Sequence, residues 1–373
     1  MSVERLTTDT LRRWVDERTR FAAAMLVEVI GSAPLDPGAI MLIDEQGRIE
    51  GSVTGGCVEG ALVEEAIGVL AGGPPRLVTY GISDEVAGGV GLMCGGTVRI
   101  LVHEIAGETA DTWLEALTAV DEGRPGALAT VLTGPLTGAT LGVLEGRKLG
   151  SLGLPLLEHG VERDAGAAMA QGLSTLRRYG SDGTVMGSEL EVFIRAFGAR
   201  PRMVIVGAVD FSAALARFAR ELGFDVTICD ARGPFLQSRR FTSVADVVQQ
   251  WPHEYVASQV LGERDVVLVF SHDSKFDEPA LQAALATDAG YIGAMGSRKT
   301  QADRTERLRA VGVTQAELER IASPCGLDIG AASPAETAVS ILAEVIALRT
   351  GRGADRLSDT SGSIRSRTQA TEV

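Results

Sequence analysis

The stretch RMVIVGAVDFSAALARFARELGFDVTICDAR, residues 202–232, decides the fold class of this chain. Its apolar run over residues 203–206 ends at Gly207, as is typical of a buried parallel strand. Apolar residues then recur at helical spacing as far as the next glycine, and residues 226–229 predict a second strand that ends at Asp230. Strand, helix, strand and a closing acidic residue form the outline of a dinucleotide-binding βαβ unit. The sequence therefore predicts a Rossmann-like parallel sheet.

The turn after the first of these strands departs from the dinucleotide fingerprint, G-x-G-x-x-G. The second glycine of that fingerprint lets the backbone approach a pyrophosphate, and Val209 places a branched side chain there. Asp210 adds a negative charge where a phosphate would lie. We therefore expect the fold without ordinary NAD(P) binding. Asp230 is interpreted either as an acceptor for ribose hydroxyls or as an ion-pair partner of Arg232.

The composition of the chain argues against several classes of protein. At 373 residues the chain is long enough for two domains, and its 45% apolar and 23% charged residues are ordinary for a soluble globular protein. The 49 acidic residues outnumber the 35 basic ones, which argues against binding to nucleic acid. No apolar run approaches the roughly 18 residues of a membrane-spanning helix, the first residues do not resemble a signal peptide, and four scattered cysteines do not suggest a disulfide framework. We therefore expect a soluble, cytoplasmic protein.

Outside residues 202–232, the patterns predict a mixed α/β domain first and further parallel strands afterwards. The first part begins with a helix capped by Thr8 or Asp9 and ending near residue 20. Its other predicted elements are helices near 60–70, 111–122 and 161–178 and strands near 21–30, 39–43, 48–53, 77–80, 97–103, 127–133, 139–144 and 189–194. The second part adds strands at 265–270 and 289–295 and a last helix opened by a capping box of Ser333 and Glu336.

Glycine and proline within residues 197–201 mark the expected domain boundary. The predicted fold class is thus α/β, with an N-terminal mixed α/β domain of residues 1–198 and a Rossmann-like domain of residues 199–352. A tail over residues 353–373 is rich in serine and threonine and poor in apolar residues, so we expect it to be disordered.

Two cysteines lie in glycine-rich loops. Cys57 follows Gly55 and Gly56, and Cys94 precedes Gly95 and Gly96. Such loops allow backbone amides to approach a ligand, and a helix start can lower the pKa of a thiol, so both cysteines and the four glycines are candidate site residues. The 37 positions between the two cysteines are not a zinc-binding spacing, and we predict no metal site. The alternative interpretation is two small buried cysteines with glycines that serve tight turns.

A second set of candidates lies where the predicted parallel strands end. The carboxyl ends of such strands face the ligand crevice, so we expect Asp230, His272 and Ser297 to point into one cleft. Residues 293–298 resemble an anion nest at a helix start, with an ordinary strand-to-helix turn as the alternative. The candidate cofactor-binding residues of this domain are Gly207, Asp210, Asp230, Arg232, His272, Gly296, Ser297 and Arg298.

Together these segments resemble the XdhC/CoxI family, the accessory proteins that mature xanthine dehydrogenase and related molybdenum hydroxylases. Residues 31–34, 52–59 and 91–96 are similar to the family's N-terminal domain. The Rossmann unit is similar to its C-terminal domain, as are residues 271–273, 291–298, 326–330 and 333–344. The resemblance therefore covers most of the chain in two blocks.

The resemblance implies a protein that binds molybdenum cofactor transiently, helps it receive its terminal sulfur and passes it to an apo molybdenum hydroxylase. It implies a homodimer, allows a cysteine desulfurase as a further partner, and assigns sulfur or cofactor handling to Cys57 and Cys94. Two positions depart from the family pattern. Val209 and Asp210 replace the end of a glycine-alanine-glycine-histidine turn, and Leu35 stands where the family often has arginine.

Two other functions stay open from the sequence. One is a nucleotide-dependent oxidoreductase with a degenerate fingerprint, which Val209 argues against. The other is a non-catalytic chaperone that only docks to its client enzyme. We expect a maturation factor that binds and transfers a cofactor rather than an enzyme in its own right.

Overall fold

The computed structural model describes residues 3–81, 96–185 and 187–361, with side chains from residue 6 onward. Among these residues the chain forms two compact units, which meet in sequence between Ala199 and Arg200. Cys94 and Gly95 lie outside the described residues, as does most of the expected disordered tail. Of that tail, Leu357–Asp359 forms one turn of 3₁₀ helix. Within the described residues, no helix is both long and apolar enough to span a bilayer.

The first unit contains two antiparallel sheets of five strands each, built from two successive sets of elements. The first set is α1 (Val3–Asp16), β1 (Phe21–Ile30), β2 (Ile40–Asp44), β3 (Ile49–Gly51), α2 (Glu59–Leu70), β4 (Arg76–Tyr80) and β5 (Thr97–Glu104). The second set is α3 (Glu108–Asp121), β6 (Gly126–Val131), β7 (Thr140–Leu144), β8 (Arg147–Ser151), α4 (Pro155–Gln171), β9 (Thr175–Tyr179) and β10 (Leu190–Phe197).

These two sets are an internal repeat. Both run helix, three strands, helix, two strands, and their strand orders are equivalent, β3-β2-β1-β5-β4 and β8-β7-β6-β10-β9. The sequence keeps a trace of the repeat in GRIEGSV at residues 47–53 and GRKLGSL at 146–152, which lie 99 positions apart. Gly51 and Gly150 occupy equivalent places, each with positive φ and each without room for a Cβ beside a carbonyl oxygen of the neighbouring strand.

The two repeats contact each other reciprocally. His103 on β5 lies against Gly138 in the second repeat, where a Cβ would be 3.2 Å from its Nδ1. Arg195, which has the equivalent place on β10, lies against Gly38 in the first repeat. Arg99 on β5 pairs with Glu191 on β10. Such exchange of equivalent contacts is the pattern of an isologous interface, here within one chain.

The cores of this unit follow from the two faces of each sheet. Successive residues of β1 point to opposite faces, so Ala23 and Met25 join a core that α1, α3 and both sheets share, whereas Ala22 and Ala24 face α2. The second sheet packs its other face against α4. Because both faces of the central strands are covered, the apolar run of β1 is continuous although the sheet is antiparallel.

The second unit is a parallel six-stranded sheet flanked by helices. Its elements are β11 (Arg202–Val206), α5 (Asp210–Glu221), β12 (Asp225–Cys229), α6 (Gly233–Leu236), α7 (Arg239–Thr242), β13 (Asp246–Val248), α8 (Pro252–Ser258), β14 (Val266–Val269), α9 (Ser274–Leu285), β15 (Tyr291–Ala294), α10 (Arg298–Ala310), α11 (Gln315–Glu319), β16 (Ile321–Ala322) and α12 (Pro334–Thr350). The strand order β13-β12-β11-β14-β15-β16 is that of a Rossmann fold, with its switch point between β11 and β14. The predicted fold class is confirmed.

Several predicted elements differ from the observed ones. The first helix starts at Val3 and ends at Asp16, so Thr8 and Asp9 lie inside it rather than at its cap. The helix predicted over residues 161–178 is α4, which Gly172 ends in the left-handed conformation, and the residues after it form β9. The strand β8 was not predicted because it is a polar, largely exposed edge strand without an apolar pattern. The capping box of Ser333 and Glu336 at the start of α12 is confirmed.

Candidate functional site

The loop between β3 and α2 is organised around one buried carboxylate, that of Glu59. Glu59 is the first residue of α2 and is only 9% exposed. Its two oxygens accept six hydrogen bonds, from Ser52 Oγ (2.6 Å), Val53 N (3.3 Å), Thr54 N (2.9 Å), Thr54 Oγ1 (2.8 Å), Gly56 N (2.9 Å) and Val58 N (3.1 Å). Burial alone would raise the pKa of Glu59, but hydrogen bonds, led by those from Ser52 and Thr54, outweigh it and lower the pKa to about 2.

These hydrogen bonds correct the interpretation that the amides of the loop face a ligand. The amides of Thr54, Gly56 and Val58 donate to Glu59, and that of Gly55 donates to Ser52 Oγ at 2.9 Å. The carboxylate of Glu59 thus accepts the hydrogen bonds that the sequence led us to expect for a ligand or a thiolate. The amide of Cys57 has no acceptor among the residues that the structure describes.

The segments that carry the family resemblance in this unit converge on one place. Gly96 lies directly against the backbone of Ser32, where a Cβ would overlap the carbonyl group. Gly55 lies beside Pro34, with 3.7 Å between the Cβ of Pro34 and a Cβ built on the glycine. Leu35 and Cys57 are half-buried against the same apolar cluster. The loop of residues 31–38 therefore contacts Gly96, at the described end of the segment that carries Cys94, and Gly55, two positions before Cys57.

The described cysteines differ in their surroundings. Cys57 is a half-buried free thiol. Burial raises the pKa of Cys229 to about 12, and burial, assisted by the charge of Glu344, raises that of Cys325 to about 12. Both of those thiols are therefore held in the unreactive protonated form, in agreement with a structural role.

In the second unit, the turn after β11 is closed by internal contacts. Gly207 has φ of +105°, and a Cβ there would lie 2.8 Å from the amide nitrogen of Ser271, so the close approach of two strand ends requires glycine. The amide of Ala208 donates to Asp230 Oδ2 at 2.8 Å. Val209 packs against the apolar core, and Asp210 pairs with Arg240.

Asp230 is engaged within the protein. It is 2% exposed, and besides Ala208 it accepts hydrogen bonds from the amide of Arg232 and from that residue's guanidinium at 2.9 and 2.7 Å. Burial acts to raise the pKa of Asp230, but these hydrogen bonds outweigh it and the pKa is lowered. Asp230 is thus the ion-pair partner of Arg232, the second of its two interpretations. The same guanidinium stacks on Phe235, 4.3 Å from the ring centre.

The other strand-end candidates occupy turns. His272 adopts φ of +56° between β14 and α9. Ser297 caps α10, its hydroxyl accepting from the amide of Thr300 at 3.1 Å, and Arg298 begins that helix. β14 and β15 are neighbours, but β11 separates β12 from β14. The end of β12, which precedes Asp230, is therefore two strand positions from the end of β14 and three from that of β15.

Comparison with known families decides the classification. A family model described as "XdhC and CoxI family" matches residues 14–81, and one described as "XdhC Rossmann domain" matches residues 203–345. Together the two matches cover more than half of the chain. The chain belongs to the XdhC/CoxI family.

Curated relatives span nearly the whole of this XdhC/CoxI protein. It is 26% identical over 341 residues to a probable xanthine dehydrogenase subunit of Bacillus subtilis (strain 168), a match that covers 90% of this chain and 95% of that protein. It is 27% identical over 324 residues to "Molybdenum cofactor insertion chaperone PaoD" of Escherichia coli (strain K12), covering 87% and 82%. A crystal structure described as a xanthine dehydrogenase from Bacillus halodurans superposes with a TM-score of 0.70 at 23% identity, over 96% of this chain and 98% of that one, and shares the fold.

Sequence reasoning missed two buried residues of this XdhC/CoxI chain. Glu59 could have been found from the internal repeat, because Glu158 follows Ser151 at the same spacing that separates Glu59 from Ser52. Arg304 on α10 is 1% exposed and bonds to the carbonyl of Met295 at 2.9 Å, but a single arginine in a polar helix carries no signal. Among the described residues, no group of three or more His, Cys, Asp or Glu could hold a metal ion.

Proposed function

We propose that this chain is an accessory factor for the maturation of a molybdenum hydroxylase of the xanthine dehydrogenase or CO dehydrogenase type. It binds molybdenum cofactor as cargo, assists the sulfuration of that cofactor and promotes its insertion into the apo-enzyme. Family membership supports this, as do two relatives whose names refer to xanthine dehydrogenase and to molybdenum cofactor insertion. On this proposal the protein binds and transfers a cofactor and is not an enzyme in its own right.

The observation that carries the proposal is the contact between three loops, one of which holds Cys57 two positions after Gly55. A thiol is the soft ligand that suits a sulfur-rich metal centre, and Cys57 is half-buried rather than sealed in the core. Its amide has no acceptor in the described part of the chain, so one donor is left beside the thiol. The residues present therefore fit a cargo that is held through sulfur. They do not fit one held by the amides of Thr54, Gly56 and Val58, which Glu59 occupies.

We assign the handling of the cofactor or its sulfur to Cys57 and Cys94, with Gly55, Gly56, Gly95 and Gly96 allowing the close approach of the loops. In the second unit, Arg232, His272, Gly296, Ser297 and Arg298 lie at the carboxyl end of the sheet and remain the proposed contacts of a ligand there. Asp210 and Asp230 are paired with arginines and have a structural part in that site.

The partners that this function requires are an apo molybdenum hydroxylase and a source of sulfur, for which a cysteine desulfurase has the right chemistry. We propose that the protein acts as a homodimer in the cytoplasm, where its client is assembled.

The serine variants Cys57→Ser and Cys94→Ser test the assignment, with Cys229→Ser as the matched control. The volume change is small, so all three should fold. We expect client hydroxylase activity per amount of folded accessory protein to fall in the first two variants and to be retained in the third, because Cys229 is buried in β12. An alkylating probe near neutral pH should label Cys57 or Cys94 well before Cys229.

Full client activity in both Cys57→Ser and Cys94→Ser would show that the thiols are structural. Mass spectrometry of the natively purified protein adds an independent measurement. A bound pterin is expected, whereas a chaperone that only docks to its client would carry none.

A further inference from the structure

The two repeats of the first unit share a serine–glutamate contact after their third strand. Ser52 donates to Glu59, and Ser151 donates to Glu158, each from Oγ at 2.6 Å. The amide that follows each serine donates to the same carboxylate, at 3.3 Å from Val53 and 3.0 Å from Leu152. This contact therefore belongs to the repeated fold and is independent of any cysteine.

The first repeat adds four hydrogen bonds to its carboxylate that the second lacks, from the amide and hydroxyl of Thr54 and the amides of Gly56 and Val58. The equivalents of Gly56 and Cys57 are Pro155, which has no N–H, and Leu156, which is 60% exposed. In the second repeat Pro155 already begins α4, three residues before Glu158. In the first repeat α2 begins only at Glu59 itself, and residues 56–58 stay outside the helix.

From this difference we propose that Glu59 is a positioning residue that holds Cys57 in a non-helical loop. The inference rests on the proposed function of Cys57. Glu59 accepts hydrogen bonds from the amides on both sides of Cys57, those of Gly56 and Val58, which fixes the backbone at residue 57. In the second repeat, where these amide bonds to the carboxylate are missing, the equivalent residues 155–157 are part of α4.

The geometry excludes a direct contact of Glu59 with a substrate or a metal ion. A carboxylate has about four lone-pair positions, and six donors already surround this one. Its burial also leaves no open side for a substrate. Glu59 therefore acts through the loop and not as a base or a metal ligand.

The variant Glu59→Gln tests the proposal, with Glu158→Gln as the matched control in the other repeat. Glutamine keeps the shape but turns an NH₂ group toward amide donors, so both variants should melt at a lower temperature. The deciding measurement is the rate of alkylation of Cys57 by iodoacetamide as a function of pH, followed on its own peptide in the full-length protein. We expect Glu59→Gln to raise this rate several-fold across the pH range, because residues 56–58 are released and the thiol becomes more exposed, as the equivalent Leu156 is in the other repeat. Glu158→Gln should keep the wild-type profile.

Client activation should move in the opposite direction, falling in Glu59→Gln while Cys57 becomes more reactive. An unchanged alkylation profile in folded Glu59→Gln, or an equal change in Glu158→Gln, would overturn the proposal. If Glu59→Gln does not fold, Thr54→Val removes the hydroxyl that donates to Glu59 and accepts from the amide of Val58, and a wild-type profile in that variant would overturn the proposal equally. If Cys57→Ser and Cys94→Ser both support full client activity while Glu59→Gln still alters Cys57 reactivity, the proposed function fails and the positioning of Cys57 stands.

Discussion

Val209 lies where a dinucleotide-binding turn has its second glycine, and its surroundings explain why it is accommodated. Its side chain packs into the core of the second unit, and its extended backbone precedes the first residue of α5. The neighbouring amide of Ala208, which would face a pyrophosphate, donates to Asp230. The turn is thus stabilised by the protein's own groups.

We therefore expect NAD and NADP to bind weakly or not at all, as calorimetric titration of the full chain can measure. The double variant Val209→Gly, Asp210→His should raise any residual affinity for an anionic ligand, because it opens the backbone and removes the carboxylate that pairs with Arg240. Arg240→Ala in the wild-type background is the control, since it removes a cation and should not raise that affinity. Low-micromolar binding of NAD by the wild type would contradict this expectation and favour the oxidoreductase alternative.

At the scale of single residues, the sequence predicts the place of a residue where its partners are local in sequence, and fails where they are not. Gly207 and Asp230 were placed correctly at strand ends because the βαβ pattern fixes them. Glu59 was missed because an acid in the first turn of a helix ordinarily indicates a favourable interaction with the helix dipole. Its actual partners lie on a loop that folds back over it, and only the tertiary structure brings them together.

At the scale of elements, strands with apolar cores were predictable and polar edge strands were not. The strands β1, β5 and β14 lie within about two residues of their predicted bounds because their apolar runs reflect burial on both faces. β8 and β9 lack such runs, since they are edge strands with many exposed positions. The internal repeat was not predicted either, because the two repeats share their topology but only a few residues of their sequences.

The packing of β5 against the second repeat predicts a particular pH dependence. His103 is buried there beside Trp113, and among the described residues its Nε2 has no hydrogen-bond partner. Burial lowers the pKa of His103 from 6.5 to about 4. As pH falls from 6.5 toward 4, the unfolded chain therefore takes up a proton that the folded protein does not, and the folded protein loses about 3 kcal/mol of stability.

His103→Leu should remove this loss, so that its free energy of unfolding from urea titration declines less than that of the wild type between these two pH values. His159→Leu, on the exposed side of α4, is the control and should keep the wild-type dependence. An unchanged pH dependence in His103→Leu would mean that the imidazole finds a partner in solution.

At the scale of the whole molecule, the second unit has the features of an independently folding domain. It has its own sheet and two apolar cores, one on each face. The helix α12 belongs to one of these cores, where Ile341, Leu342 and Val345 pack with residues of α5. The last α-helix of this unit in sequence therefore contributes large side chains to the core on one face of the sheet.

We therefore expect a fragment of residues 200–361 to be soluble, mixed α/β by circular dichroism, and cooperative in thermal unfolding. A fragment of residues 200–332 lacks α12 and is the matched comparison. It loses three large buried side chains at roughly 1.5–3 kcal/mol each, which together approach the about 5–15 kcal/mol by which a whole domain is stable. The shorter fragment should therefore show no cooperative transition and should bind a hydrophobic dye. Cooperative unfolding of both fragments would show that α12 is dispensable for the core, and failure of the longer one to fold would show that the second unit depends on the first for its stability.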